Sequence, residues 1–192
     1  MPSDPTDRNT ACGGIAMTRR NERPWRYIAN DGLLARSRMP GGTLLTFATF
    51  LLAACLPAIV GSWFPAGEWY LVLAKPEWTP RPQVIGAVWT LLYFMIGVAG
   101  FLAWQATRPV HRARPFALFT LQLGLNALWA PLFFDLQLPS LALVDLLALL
   151  VCAALLAIVF HRLRPAAGWL LVPYLAWLVF AAVLNAWIVY LN

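Results

Sequence analysis

The sequence predicts an all-α membrane protein, a bundle of five transmembrane helices with a lid-like loop between helices 1 and 2. Three observations carry that prediction. The 192 residues are 61% hydrophobic and only 11% charged, too little charge to cover a soluble domain of this size. Five apolar runs of about 20 residues succeed one another after position 42, each long enough to cross the hydrocarbon as a helix. The net charge of +6 resides in the leading segment and the short connections. That placement is topological information and not a nucleic-acid footprint, so no nucleic-acid partner is expected.

Residues 1–42 carry six arginines between Arg19 and Arg38 among Pro, Gly and Ser. Without a sustained apolar period they read as a basic, disordered tail. The predicted spans are Thr43–Phe64, Pro82–Gln105, Pro115–Phe134, Pro139–His161 and Pro165–Leu191. Prolines open four of them, where a missing N–H costs least. Leu52-Ala53-Ala54-Cys55 has the form of a lipoprotein processing box. The basic stretch before it is too long for a signal peptide, and small residues there serve close helix packing.

Charge in the connections sets the expected orientation. Five crossings put the tail and the 106–114 and 161–164 connections on one side, with Arg108, Arg112, Arg114, Arg162 and Arg164. The other side has Lys75 and Arg81 alone. The N-terminus is therefore expected in the cytoplasm, and the 65–81 loop and C-terminus outside.

Cys12, Cys55 and Cys152 lack C-x-x-C spacing, and His111 and His161 fall at predicted loop positions. No metal site, disulfide framework or axial haem ligand is expected.

The polar and aromatic residues inside the spans are the informative ones. Lys75-Pro76-Glu77-Trp78-Thr79-Pro80-Arg81-Pro82 leads into a helix on which Trp89 and Tyr93 share a face. In the third span Gln122, Asn126 and Trp129 form one stripe, and in the fifth Tyr174, Trp177, Ala181 and Asn185 form another. An unsatisfied amide in hydrocarbon costs several kcal/mol, so both stripes are expected to face inward. Pro173 is expected to kink the fifth helix and widen a cavity beside Trp177. Asp145 is the acid well inside a span, and a structural partner is expected for it. Trp69, Tyr70 and Trp78 in the 65–81 loop make either an interfacial belt or an aromatic lid. A wall of Trp89, Tyr93, Trp129 and Trp177 with a few amides suits a large, planar, hydrophobic ligand. With no internal histidine, a tetrapyrrole would be held there by stacking.

Lys75-Pro76-x-Trp78-x-Pro80, Val88-Trp89-x-x-Leu92-Tyr93, Gln122-Leu123-x-x-Asn126-x-x-Trp129-x-x-x-Phe133-Phe134, Ala142-Leu143-Val144-Asp145-Leu146-Leu147, Pro173-Tyr174-Leu175-x-Trp177 and Leu184-Asn185 together resemble the TspO/MBR family, the tryptophan-rich sensory and translocator proteins, over residues 43–192. The resemblance implies a five-helix bundle with a lid-like first loop, commonly a homodimer. It also implies a protoporphyrin IX-type ligand and no obligatory cofactor. The family pocket would fall on Trp69, Trp89, Asn126, Trp129, Trp177 and Ala181. Trp89 and Trp177 match positions tied to porphyrin photochemistry.

Two departures are visible. Arg81 stands where the family loop has a second proline, and a guanidinium there can meet a porphyrin propionate. No basic residue follows Tyr174 or Tyr190 closely, so the C-terminal cholesterol motif is expected to be absent. Arg114-Pro115-Phe116-Ala117-Leu118 does fit the reversed sterol pattern. The leading expectation is a membrane sensor or translocator that binds a tetrapyrrole. The alternatives are a light-dependent porphyrin-degrading enzyme acting through Trp89 and Trp177, and a small transporter.

Overall fold

A computed structural model describes residues 40–192, and the expectations placed on the basic tail, including Cys12, lie outside them. Five helical spans follow. Helix α1 covers Pro40–Ser62, and a short helix α2, Glu68–Val72, lies in the first connection. Helix α3 covers Pro82–Ala106, and α4 covers Ala113–Ala130 and continues as a π-helical turn, Pro131–Asp135. Helix α5 covers Pro139–Leu163, and the last span is divided into α6, Pro165–Trp169, and α7, Val172–Leu191. All five spans are long and apolar enough to cross a membrane.

The boundaries follow the sequence signals closely. Pro82, Pro139 and Pro165 are each the first residue of a helix. Pro115 is an exception, because α4 begins two residues earlier at Ala113 and buries Pro115 in its first turn. His161 lies in the last turn of α5 and not in a loop. The last span is broken beside Pro173, as expected: the break falls at Leu170–Leu171, with Pro173 in the first turn of α7. Residues 170–173 do not themselves line the cavity described below.

Packing runs around a closed ring. Helix α1 lies against α3 and α4, α4 against α5, α5 against α7, and α7 returns to α3. Gly97 and Gly100 let α3 approach α1 and α4. A Cβ on Gly97 would stand 2.7 Å from Leu51 Cδ2, and one on Gly100 would stand 2.8 Å from Phe50. These glycines are therefore used in packing within the chain. Gly168 does the same for α6 against α5, where a Cβ would collide with His161 Cβ.

The outer surface is apolar. Leu52, Leu91, Phe94, Val144, Val151, Leu155, Val179 and Val183 are all exposed, as lipid-facing residues should be. Trp63, Trp169, Trp187 and Tyr190 are exposed near span ends, where aromatic rings sit at membrane interfaces. Thr46, Thr90 and Thr120 return their hydroxyls to the carbonyl four residues back, at 2.8–2.9 Å, so these exposed positions keep no free hydroxyl donor.

Candidate functional site

A cavity of about 390 Å³ opens among the spans beneath the first connection. Helix α3 contributes Trp89 and Tyr93, α4 contributes Asn126 and Trp129, and α7 contributes Trp177, Ala181 and Asn185. Pro57, Ala58 and Gly61 of α1 form one wall, Leu146 and Leu149 of α5 another, and Tyr70 of α2 reaches in from the loop.

Helical spacing arranges the rings. Trp89 and Tyr93, four residues apart, stack at 5.1 Å with 24° between planes. Trp129 and Phe133 stack in the same way at 4.8 Å and 20°. Trp89 meets Trp177 edge to face at 6.5 Å, bringing two spans together. Gly61, Gly86, Ala58, Ala130 and Ala181 also line the cavity, and their small side chains leave its space open.

The polar groups form two sets. The first is a hydrogen-bonded chain: Tyr93 Oη donates to Asn126 Oδ1 at 3.0 Å, and Asn126 Nδ2 donates to Tyr174 Oη at 3.0 Å. Tyr174 Oη then donates to Gln122 Oε1 at 3.1 Å. The second set has no hydrogen-bond partner among the described residues: Trp129 Nε1, Trp177 Nε1, Asn185 Oδ1, Gln122 Nε2 and both oxygens of Asp145. Asn185 uses its Nδ2 to hold Pro139 O at 3.0 Å. Trp129, Trp177 and Asn185 line the cavity, while these three polar atoms are themselves buried in the packing around it.

Several residues expected at the site stand elsewhere. Trp69 packs edge-on against Phe133 at 5.8 Å and lines a separate depression of about 410 Å³ with Val72, Leu73, Gln137 and Asn192. Trp78 is 45% exposed, with its ring edge on Phe180, and does not itself line the cavity. Arg81 is exposed at the start of α3 and does not line the cavity. Gln122 and Tyr174 are fully buried behind Asn126 and do not line it either. The structural partner expected for Asp145 is not found among the described residues. Its neighbours on the same face of α5, Ala142, Leu146 and Leu149, are buried apolar residues.

The structure also adds residues. Phe133, Phe134 and Phe180 line the cavity. The π turn places the first two: Pro131 lacks an N–H, the turn widens, and Leu136 N reaches back five residues to Pro131 O at 2.9 Å. Tyr70, and not its neighbour Trp69, enters from the loop. Lys75 Nζ lies 4.4 Å above the Tyr70 ring and donates to Leu73 O and Tyr70 O. Burial pushes the Tyr70 phenol above its ordinary pKa, so a neutral ring is kept beneath the ammonium.

The TspO/MBR family model matches residues 46–191. The chain is 41% identical over 152 residues to the tryptophan-rich protein TspO of Archaeoglobus fulgidus, covering 78% of this chain and 98% of that protein. It is 41% identical over 141 residues to the human translocator protein, covering 71% of this chain and 83% of that one. The tryptophan-rich sensory protein of Cereibacter sphaeroides is 38% identical over 141 residues, with 72% and 86% covered.

Proposed function

This chain belongs to the TspO/MBR family as a multi-pass integral membrane protein, and we propose that it is a sensor or translocator whose cavity binds a flat, hydrophobic ligand of the tetrapyrrole class. The observation that supports the reading most is the meeting of Trp89, Trp129 and Trp177 from three spans around one cavity. Their faces offer stacking to a planar guest. In this reading the guest passes beneath Tyr70 and lies against Trp89 and Trp177, with its polar edge toward Asn126 and Asn185. No metal ligand is required for that grip.

Titrating the purified chain with protoporphyrin IX and following tryptophan quenching tests the proposal. Replacing both Trp89 and Trp177 by Phe should weaken binding about tenfold, since each aromatic pair contributes roughly 0.5–1.5 kcal/mol beyond area burial. Unchanged affinity in that double variant would remove the assigned pocket.

A light-dependent porphyrin-degrading activity is the second reading, favoured by the contact of Trp89 with Trp177 at the cavity wall. Illuminating the complex separates the two. Loss of the porphyrin absorption bands that depends on these indoles supports an enzyme, and bleaching at the rate of free porphyrin supports a receptor.

The proposed orientation puts the cavity mouth outside and the ends bearing Arg108, Arg112 and Arg164 in the cytoplasm. Single cysteines placed at Lys75 and Arg164 in a variant lacking the native cysteines should label from opposite faces of intact cells. Labelling of both from one side would reject that orientation.

A further inference from the structure

The chain from Tyr93 to Gln122 has a direction, and that direction determines what the cavity presents at Tyr93. Each tyrosine has one hydroxyl hydrogen to give. Tyr174 gives its own to Gln122 Oε1, so toward Asn126 it can only accept. Asn126 must then turn Nδ2 to Tyr174 and Oδ1 to Tyr93. Tyr93 in turn gives its hydrogen to Asn126, and what it has left for the cavity is a lone pair. The two carboxamides can rotate half a turn in the same volume, exchanging oxygen for NH₂, so the chain can run only as a unit, one way or the other.

We propose that Gln122, which does not line the cavity, is a positioning residue that holds Tyr93 as a hydrogen-bond acceptor, so that the ligand edge facing Tyr93 carries an N–H or un-ionised O–H donor. This rests on the ligand-binding reading of the cavity and adds the polarity of one edge of the guest. Three observations support it. Gln122, Tyr174 and Asn126 are all at least nine-tenths buried, so water cannot substitute for a missing link. Tyr93 and Asn126 line the cavity while Tyr174 and Gln122 do not, so the signal originates outside the site. The far end of the chain, Gln122 Nε2, has no hydrogen-bond partner among the described residues, so the chain ends at Gln122, and the atom Gln122 turns to Tyr174 sets the direction of every link after it.

Replacing Gln122 by leucine removes the acceptor for Tyr174. The Tyr174 hydroxyl then has Asn126 Oδ1 as its remaining acceptor in the chain. Asn126 rotates, its Nδ2 donates to Tyr93 Oη, and the Tyr93 hydrogen is released toward the cavity. Removing a buried residue that never touches the ligand should thus invert the donor and acceptor preference at Tyr93.

Three flat tricyclic probes of similar shape measure this by calorimetry on the full chain in nanodiscs: carbazole with one N–H donor, acridine with one nitrogen acceptor, and fluorene with neither. The wild-type protein should bind carbazole about 3- to 10-fold more tightly than fluorene, the range of one net hydrogen bond. In Gln122→Leu that ratio should fall to about one, while the acridine-to-fluorene ratio should rise by about 3- to 10-fold. The change in each ratio between the two proteins is the diagnostic. In a Tyr93→Phe background, Gln122→Leu should move neither ratio. An equal loss of affinity for all three probes in Gln122→Leu would make Gln122 a packing residue and overturn the proposal. So would an unchanged carbazole preference. Failure of all three probes to bind the wild-type protein would instead overturn the cavity reading, and this inference with it.

Discussion

Two aromatic clusters lie at different levels of the bundle, and only one of them holds a cavity. In the first, Phe50 contacts Phe116 and Phe119 at 5.6 Å, Trp104 meets Phe116 at 4.9 Å, and Phe119 stacks on Phe160 at 6.1 Å. Arg112 covers Trp104 at 3.7 Å and turns its guanidinium to the carbonyls of Thr107 and Trp104 at the end of α3. Phe160 is fully buried. In the second cluster, Trp89, Trp129 and Trp177 line the cavity together with Gly61, Gly86, Ala58 and Ala181, and two indole nitrogens lack partners among the described residues. Aromatic content is similar in both. What distinguishes them is that the second lines a cavity with small residues among its walls and holds two buried indole nitrogens without partners among the described residues.

The largest expected effect breaks the filled cluster. Phe160→Ala should cost about 3–5 kcal/mol of stability, as loss of a fully buried ring does, and should abolish folding or lower the unfolding temperature in detergent steeply. Trp129→Ala, on a half-buried ring at the cavity wall, should cost clearly less stability yet weaken protoporphyrin IX binding. If both variants lost stability equally, the cavity would be another packed core.

Filling the cavity is the converse test. Ala181→Trp should lower protoporphyrin IX affinity by about tenfold or more, a change of ~1.4 kcal/mol, with little loss of thermal stability because the added ring enters open space. Retained affinity would mean that the ligand lies elsewhere. Asn126→Leu links the two properties, because Asn126 both lines the cavity and ties Tyr93 to Tyr174. Leaving the buried Tyr93 hydroxyl without its acceptor, and Tyr174 with Gln122 alone, should cost about 1–3 kcal/mol of stability, together with a loss of affinity.

Much of this contrast was legible in the sequence, for identifiable reasons. Span existence followed from run length and from prolines at helix starts, because hydrocarbon penalises every unpaired backbone group. The i, i+4 spacings correctly paired Trp89 with Tyr93 and put Trp177, Ala181 and Asn185 on one face. Spacing alone did not separate Gln122 from Asn126. They share a stripe, but one helical turn along the axis takes Gln122 out of the cavity and into the packed layer behind it. The π turn was hidden because Pro131 falls within an unbroken apolar run, and its effect on Phe133 and Phe134 depends on how the freed carbonyls are reused. In the loop, only the formation of the five-residue helix α2 decides that Tyr70 and not Trp69 turns inward. Arg81 followed from family position, and its exposure shows that a sequence neighbour of the loop need not be a neighbour of the cavity.

The smallest expected effect concerns how that loop is held. Asn192 clasps Ala74 at both backbone atoms: Nδ2 donates to Ala74 O and Ala74 N donates to Oδ1, each at 3.0 Å, while Nδ2 also reaches Ile188 O at 2.8 Å. These bonds tie the end of α7 to the segment that carries Tyr70 and Lys75. They are solvent-accessible, so Asn192→Ala should cost only about 0.5–1 kcal/mol and leave the unfolding temperature nearly unchanged. The ligand would register the loss through kinetics. If the loop covers the cavity, releasing the clasp should raise the association and dissociation rates of protoporphyrin IX together by a few-fold at nearly constant affinity, because opening the path lowers the barrier without altering the wall of indoles. Stopped-flow quenching measures both rates. A change in affinity with unchanged association would place Ala74 and Asn192 in the binding wall, and no change in either rate would mean that the guest reaches Trp89 and Trp177 by a path that does not cross the loop.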